Sequence, residues 1–259
     1  MVSSIMPDPV KTLYTLNIGN YAPAVRALTY PLMKNYARKI RARFVEITER
    51  KFPDWPVVYE KLQIHELGRG SDWNIFVDAD AMIHPEMFDV TEHLTKDTVC
   101  HNGRDMAGVR WTYDSYFRRD GRHWGSCNWF TIGSDWCLDL WRPLDDLTLE
   151  EAAKNINITV GERISGCCKT EHLIDDYTLS RNIARFGLKS TTIVNICEGL
   201  GMKGPDGRGI SPWLFHLYAM SEREKIEKYI EVLRKPMTEG GWQLMSPEDE
   251  MEFRKQWGL

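Results

Sequence analysis

The chain has 259 residues, of which 42% are hydrophobic, 11% aromatic and 27% charged, with a formal net charge of −4 at pH 7. That apolar content excludes a disordered protein, the length suits one large α/β domain or two small ones, and the negative balance gives no electrostatic case for nucleic acid as the main partner. The first ten residues lack the basic start and apolar run of a signal peptide and no later run reaches membrane-spanning length, so a soluble, cytoplasmic protein is expected.

In chain order, residues 11–17 predict a first strand, ended by the turn Ile18-Gly19-Asn20. Val25, Leu28, Leu32, Tyr36 and Ile40 then recur at helical spacing, with Pro31 predicting a kink or a late start. Residues 44–48 predict a second strand, and Val58, Leu62 and residues 64–67 a second helix. The apolar run 73–77 predicts a third, buried strand that delivers Asp78 and Asp80 to an edge. This β-α-β-α-β alternation argues for a mainly parallel sheet covered on both faces, with ligands beyond the carboxyl ends of its strands. Side chains alternate along a strand, so Asp78 and Asp80 would leave the same face, and their repulsion is relieved either by a divalent cation, which we favour, or by a proton.

Residues 84–89 predict a turn and a short helix, and residues 98–101 a strand. Residues 113–129 mix Tyr116, Phe117, Trp124 and His123 with Arg118, Arg119 and Arg122, either a functional surface segment or a satellite cluster over a sheet edge. A strand at 129–132, a helix at 136–141 and a capping box at Thr148 and Glu151 follow. In residues 171–187, Leu179, Ile183 and Phe186 form a helical stripe, Gly187 is a natural C-cap, and Asp175 and Asp176 fall at the helix start. Residues 191–196 predict a late strand. The glycine-rich stretch 199–209 reads either as a lid bringing Lys203 and Arg208 to a diphosphate or as a connector. His216 lies in an aromatic strand-like run, residues 213–218. Ser221 with Glu224, and Ser246 with Pro247, open two last helices. Six cysteines without Cys-x-x-Cys spacing predict reduced, mostly buried thiols. No repeat or linker divides the chain, so one domain is expected.

Three features fall in one order: Asp78-Ala79-Asp80 at a strand end, Asp175-Asp176 at a helix start, and the late His216. In that order they resemble the metal-dependent nucleotide-sugar glycosyltransferases of the A-type (GT-A) fold. The resemblance implies a single Rossmann-like α/β/α sandwich, with a nucleotide-binding half (1–100), an acceptor and sugar half (101–220) and C-terminal helices (221–259). It implies transfer of a sugar from a nucleotide-diphosphate donor, of UDP type, to an acceptor that is a glycan, a small molecule, a protein or a modified nucleobase. Asp78, Asp80 and His216 would hold Mn²⁺ or Mg²⁺. Donor contacts would come from Thr15, Asn17, Lys61, Asp78, Ala79, Asp80, Asn128 and Lys203, Asn128 closing a strand entry similar to the one that lines the donor sugar. Asp175 and Asp176 resemble the Glu-Asp pair that borders the acceptor, with Asp176 as the base of an inverting transfer and Asp175 replacing the glutamate. Two competitors predict otherwise. A haloacid-dehalogenase-like phosphotransferase would use Asp78 as a nucleophile, and a nucleotide-sugar-binding protein would bind without turnover.

Overall fold

A computed structural model describes residues 8–102, 129–157, 170–201, 213–217 and 220–259. Its sheet grows from the first three strands. β1 (Lys11–Leu16) lies between β2 (Ala42–Ile47) and β3 (Trp73–Val77), parallel to both, with Leu13 paired to Phe44 and to Ile75. Leu13, Ile75 and Val77 enter one core and Tyr14 and Phe76 the other, as strands covered on both faces require. After a turn, the short β4 (Ala81–Ile83) leaves this sheet. β5 (Thr98–His101), β6 (Phe130–Ser134) and β7 (Lys189–Thr192) extend it to the order β2-β1-β3-β6-β5-β7. β6 is antiparallel to both neighbours and the remaining pairings are parallel, so the fold is α/β with a mainly parallel sheet, as expected. β8 (Leu214–His216) pairs antiparallel with β4 in a separate two-stranded ribbon.

One face is covered by α1 (Pro23–Lys39), which buries Val25, Leu28, Leu32 and Tyr36. Pro31 neither delays nor ends it: the helix starts at Pro23, where a missing N–H costs nothing, and runs through Pro31. On the other face the predicted second helix is mostly a 3₁₀ segment, Val57–Gln63, followed by the single turn α2 (Ile64–Leu67). Tyr59, Glu60, Lys61 and Leu62 are all buried, so the one-sided stripe that favours an α-helix is missing. Residues 84–89 form no helix; the helical turn comes later, at Val90–His93, started by the Asp89 side chain accepting from Thr91 N at 3.0 Å. The helix predicted at 136–141 is also 3₁₀, Asp135–Trp141. Gly133 is required beside it, because a Cβ there would lie 2.9 Å from the Trp141 ring.

α3 (Leu149–Ala153) opens with the expected capping box. α4 (Ile174–Arg185) differs from its predicted single stripe, since every residue from Ile174 to Ala184 is buried. Two of its polar side chains are absorbed by the chain over 140–146: Arg181 grips Asp146 through two bonds of 2.8 and 2.5 Å, and Asn182 donates to the carbonyls of Leu140 and Arg142. Gly187 closes the helix at φ +63°. The strand predicted at 191–196 stops at Thr192, whose hydroxyl accepts from Asn195 N and starts α5 (Ile193–Gly199). α6 (Glu222–Arg234) and α7 (Pro247–Trp257) each begin with a capping box. α6 packs Ile226, Tyr229 and Ile230 with Val25 and Leu28 of α1 and Met82 of β4. Cys100, Cys137 and Cys197 are buried free thiols, as expected, and the other three cysteines lie outside the described residues. Among the described residues no helix is long and apolar enough to cross a membrane.

Candidate functional site

β3 ends one residue before Asp78, so strand alternation is not what brings the two carboxylates together. Asp78 N still donates to Trp129 O at 2.9 Å, and Ala81 N then donates to Asp78 O at 2.9 Å, closing a turn over residues 78–81. The other turn carbonyls are taken by other elements: Ala79 O accepts from the Thr29 hydroxyl of α1 at 2.6 Å, and Asp80 O from the Tyr229 hydroxyl of α6. Because the β4–β8 register sets Ala81 opposite His216, the imidazole lands beside Asp80, Nε2 to Oδ1 3.3 Å. The Trp129 ring stacks on it at 5.1 Å. One ligand atom each of Asp78, Asp80 and His216 then lie within 4.8 Å of one another, the predicted trio.

Two lysines flank this trio. Lys61, buried, reaches Asp78 Oδ1 at 3.5 Å and pairs with Asp175 Oδ2 from the first turn of α4. Lys225, buried on α6, pairs with Asp80 Oδ2, which also accepts from the Tyr21 hydroxyl at 3.2 Å. Burial works to raise the Asp80 pKa, but the His216 hydrogen bond and charge, with the Lys225 ammonium, outweigh it and hold the carboxyl well below its usual range. Burial raises the Asp78 carboxyl, Lys61 opposes the shift and the Asp80 charge adds to it. For Lys61, burial works downward, and the Asp175 and Asp78 carboxylates more than offset it. The Tyr21 and Tyr229 hydroxyls are both pushed up by burial and by the Asp80 charge, so both stay protonated donors.

The trio fits a divalent cation. Asp78, Asp80, Asp175 and Asp176 face two ammonium groups, which leaves formal negative charge at the site. Ligands at right angles on a small octahedral ion lie about 3 Å apart, close to the 3.3 Å between His216 Nε2 and Asp80 Oδ1.

No family model matches the chain, and no curated protein matches it. Among solved structures, a glycosyltransferase involved in the glycosylation of the major capsid of PBCV-1 is similar over 86% of this chain and 100% of its own, at 12% identity and a TM-score of 0.48. The galactosyltransferase LgtC, solved with donor and acceptor sugar analogs, is similar over 87% of this chain and 97% of its own, also at 12% identity and a TM-score of 0.48.

The remaining predicted residues divide into four groups. Thr15 and Asn17 sit together at the end of β1, where Thr15 Oγ1 and Asn17 Oδ1 are buried without hydrogen-bond partners. Asn17 is held there by donating to Glu46 Oε2 at 2.9 Å and by its backbone bond to Ile47 O. Ala79 is buried in the core with its carbonyl already bonded. Asp175 and Asp176 are both buried in the first turn of α4, whose N-cap position is Leu173. Asp175 spends one oxygen on Lys61 and its Oδ1 has no partner. Asn128, Lys203 and Arg208, with most of the aromatic and basic segment 113–129 and of the glycine-rich stretch 199–209, lie outside the described residues. The sequence reading missed Glu46, Tyr21, Lys225 and Tyr229. A signal existed for the last two: they stand four residues apart on α6, beside Ile226 and Ile230, and hence on its buried side.

Proposed function

We propose that this protein is a glycosyltransferase that moves a sugar from a nucleoside-diphosphate donor to an acceptor hydroxyl, with Mn²⁺ or Mg²⁺ held by Asp78, Asp80 and His216. The observation that carries the reading is the convergence of these three side chains beyond the end of β3, with Lys61 joining them to the acidic pair of α4. A bound dication supplies charge neutralisation for a departing diphosphate. Thr15 and Asn17 bind the nucleoside in this reading, because buried polar atoms without partners are costly until a ligand satisfies them. Uracil is the proposed base. Asp78 and Asp80 orient the donor from the turn. Asp176 takes the proton of the acceptor hydroxyl as the new glycosidic bond forms, and Asp175, fixed by Lys61, holds an acceptor hydroxyl in place.

A thermal-shift screen of nucleotide sugars with and without MnCl₂ tests this reading, because a ligand that binds only the folded state raises the melting temperature. The expected result is a shift for one class of donor that needs both the sugar nucleotide and the metal, followed by slow donor hydrolysis on prolonged incubation. No metal-dependent shift with any nucleotide sugar overturns it. Binding without hydrolysis or transfer supports a binding protein instead, and turnover of simple phosphate esters supports a phosphotransferase.

A further inference from the structure

The two oxygens of Asp80 are not equivalent. Oδ1 faces His216, while Oδ2 is occupied by the Lys225 ammonium and the Tyr21 hydroxyl. Lys225 is the fixed one of these two donors, since Tyr21 is half exposed. Lys225 is buried on a helix anchored by its capping box and by Ile226, Tyr229 and Ile230 in the core shared with α1. One turn further, Tyr229 bonds the carbonyl of the same aspartate, so the helix grips Asp80 by side chain and backbone together. A cation that joins Asp80 therefore meets Oδ1 alone. Asp78 is approached on Oδ1 by Lys61, so neither carboxylate stands clear of a buried ammonium.

We propose that Lys225 and Tyr21 form a selectivity device for the metal centre: by occupying Asp80 Oδ2 they keep this carboxylate monodentate, and so favour Mn²⁺ and Mg²⁺ over Ca²⁺. The proposal rests on the metal reading above. Ca²⁺ takes about 6–8 oxygen ligands at about 2.3–2.6 Å and readily uses both oxygens of a carboxylate, whereas Mg²⁺ keeps octahedral geometry at about 2.0–2.1 Å. The imidazole of His216 adds to the bias, since nitrogen suits Mn²⁺ better than Ca²⁺. Removing the ammonium charge strengthens the binding of every dication, whereas opening the second oxygen favours Ca²⁺ in particular. The ratio of affinities separates the two effects.

The test uses the whole protein, MnCl₂ and CaCl₂, without donor. Bound Mn²⁺ is followed by electron paramagnetic resonance and displaced by Ca²⁺. The Mn²⁺ to Ca²⁺ affinity ratio is expected to fall about tenfold in Lys225→Met and about threefold in Tyr21→Phe. A ratio unchanged in both variants, even with higher affinity for each ion, overturns the proposal, because charge alone would then explain the lysine. Should Lys225→Met fail to fold by circular dichroism, Tyr21→Phe decides alone, by the same threefold fall or its absence. If the unsubstituted protein binds no Mn²⁺ without donor, this proposal fails, and the metal reading is decided separately by the thermal-shift screen with donor present. Mn²⁺ binding with an unaltered ratio in the variants defeats the selectivity device and leaves the metal reading standing.

Discussion

The two buried lysines beside the acidic turn do different work. Lys61 spans carboxylates from separate elements, Asp78 of the turn and Asp175 of α4, with its ammonium 4.4 Å from the centre of the Phe76 ring. Lys225 grips a single aspartate, Asp80, on the side away from His216. The first lysine joins two parts of the site and fixes their separation; the second sets what one ligand has left to offer. Loss of Lys61 is therefore expected to disturb the geometry of the whole site, and loss of a contact around Asp80 to disturb only its local properties.

The largest expected effect comes from breaking the bridge. Lys61→Met leaves the buried Asp175 and the half-buried Asp78 without their cation, and urea unfolding is expected to show a loss of about 3 kcal/mol. Adding Asp175→Asn removes one stranded charge and is expected to restore part of that loss; a double variant no more stable than the single one would show that the bridge does not hold the two elements together. Next is Asp176→Asn, which keeps the shape of the side chain and removes its basicity. In a transfer assay the rate is expected to fall by about two to four orders of magnitude with donor affinity near normal. A rate within a fewfold of the original would leave Asp176 as a structural residue of α4.

On the Asp80 side, Tyr229→Phe strands the Asp80 carbonyl, and thermal or urea unfolding is expected to show a loss of about 1–2 kcal/mol. No loss would mean that the turn is held by its other contacts. The smallest effect concerns the latch of α4. The hydrogen bond and charge of Arg181 hold the Asp146 carboxyl below its ordinary value. A depressed folded-state pKa contributes stability that is present above the unfolded value and is lost as pH falls through the folded one. Asp146 is partly exposed, so Asp146→Asn is expected to cost about 1 kcal/mol or less at neutral pH, with the difference shrinking in unfolding curves taken below the ordinary aspartate value of 3.8. A difference that stays constant across that range would exclude the ionic contribution.

The sheet was legible because short apolar runs bounded by turn signals and alternating with helical stripes are local signals, and strand alternation then sends Leu13 and Ile75 to one core and Tyr14 and Phe76 to the other. The trio was legible as residues but not as geometry. Asp78 and Asp80 meet through a turn secured by Thr29, Trp129 and Tyr229, partners that no local pattern around the motif reveals. The strand expected through Ile196 was lost to a cap at Thr192, since the β-branched run fits a strand while Ile193, Ile196 and Cys197 bury equally well at helical spacing. Glu46 and Lys225 escaped for a common reason. Glu46 reads as an ordinary charge on a strand, and Lys225 shows its buried side of α6 but not what that side meets; only the pairing of β2 with β1, or the packing of α6 against α1, aims each at the site.

The ribbon of β4 and β8 has a consequence for the order in which the protein is made. Asp78 and Asp80 leave the ribosome with the first sheet strands, whereas His216, Lys225 and Tyr229 follow only after the rest of the main sheet has been synthesised. Until those late residues dock, the acidic turn has neither its imidazole nor its second ammonium, and one of its carbonyls lacks a donor. The site is therefore incomplete until the C-terminal part of the chain is present, because its imidazole and second ammonium come from β8 and α6.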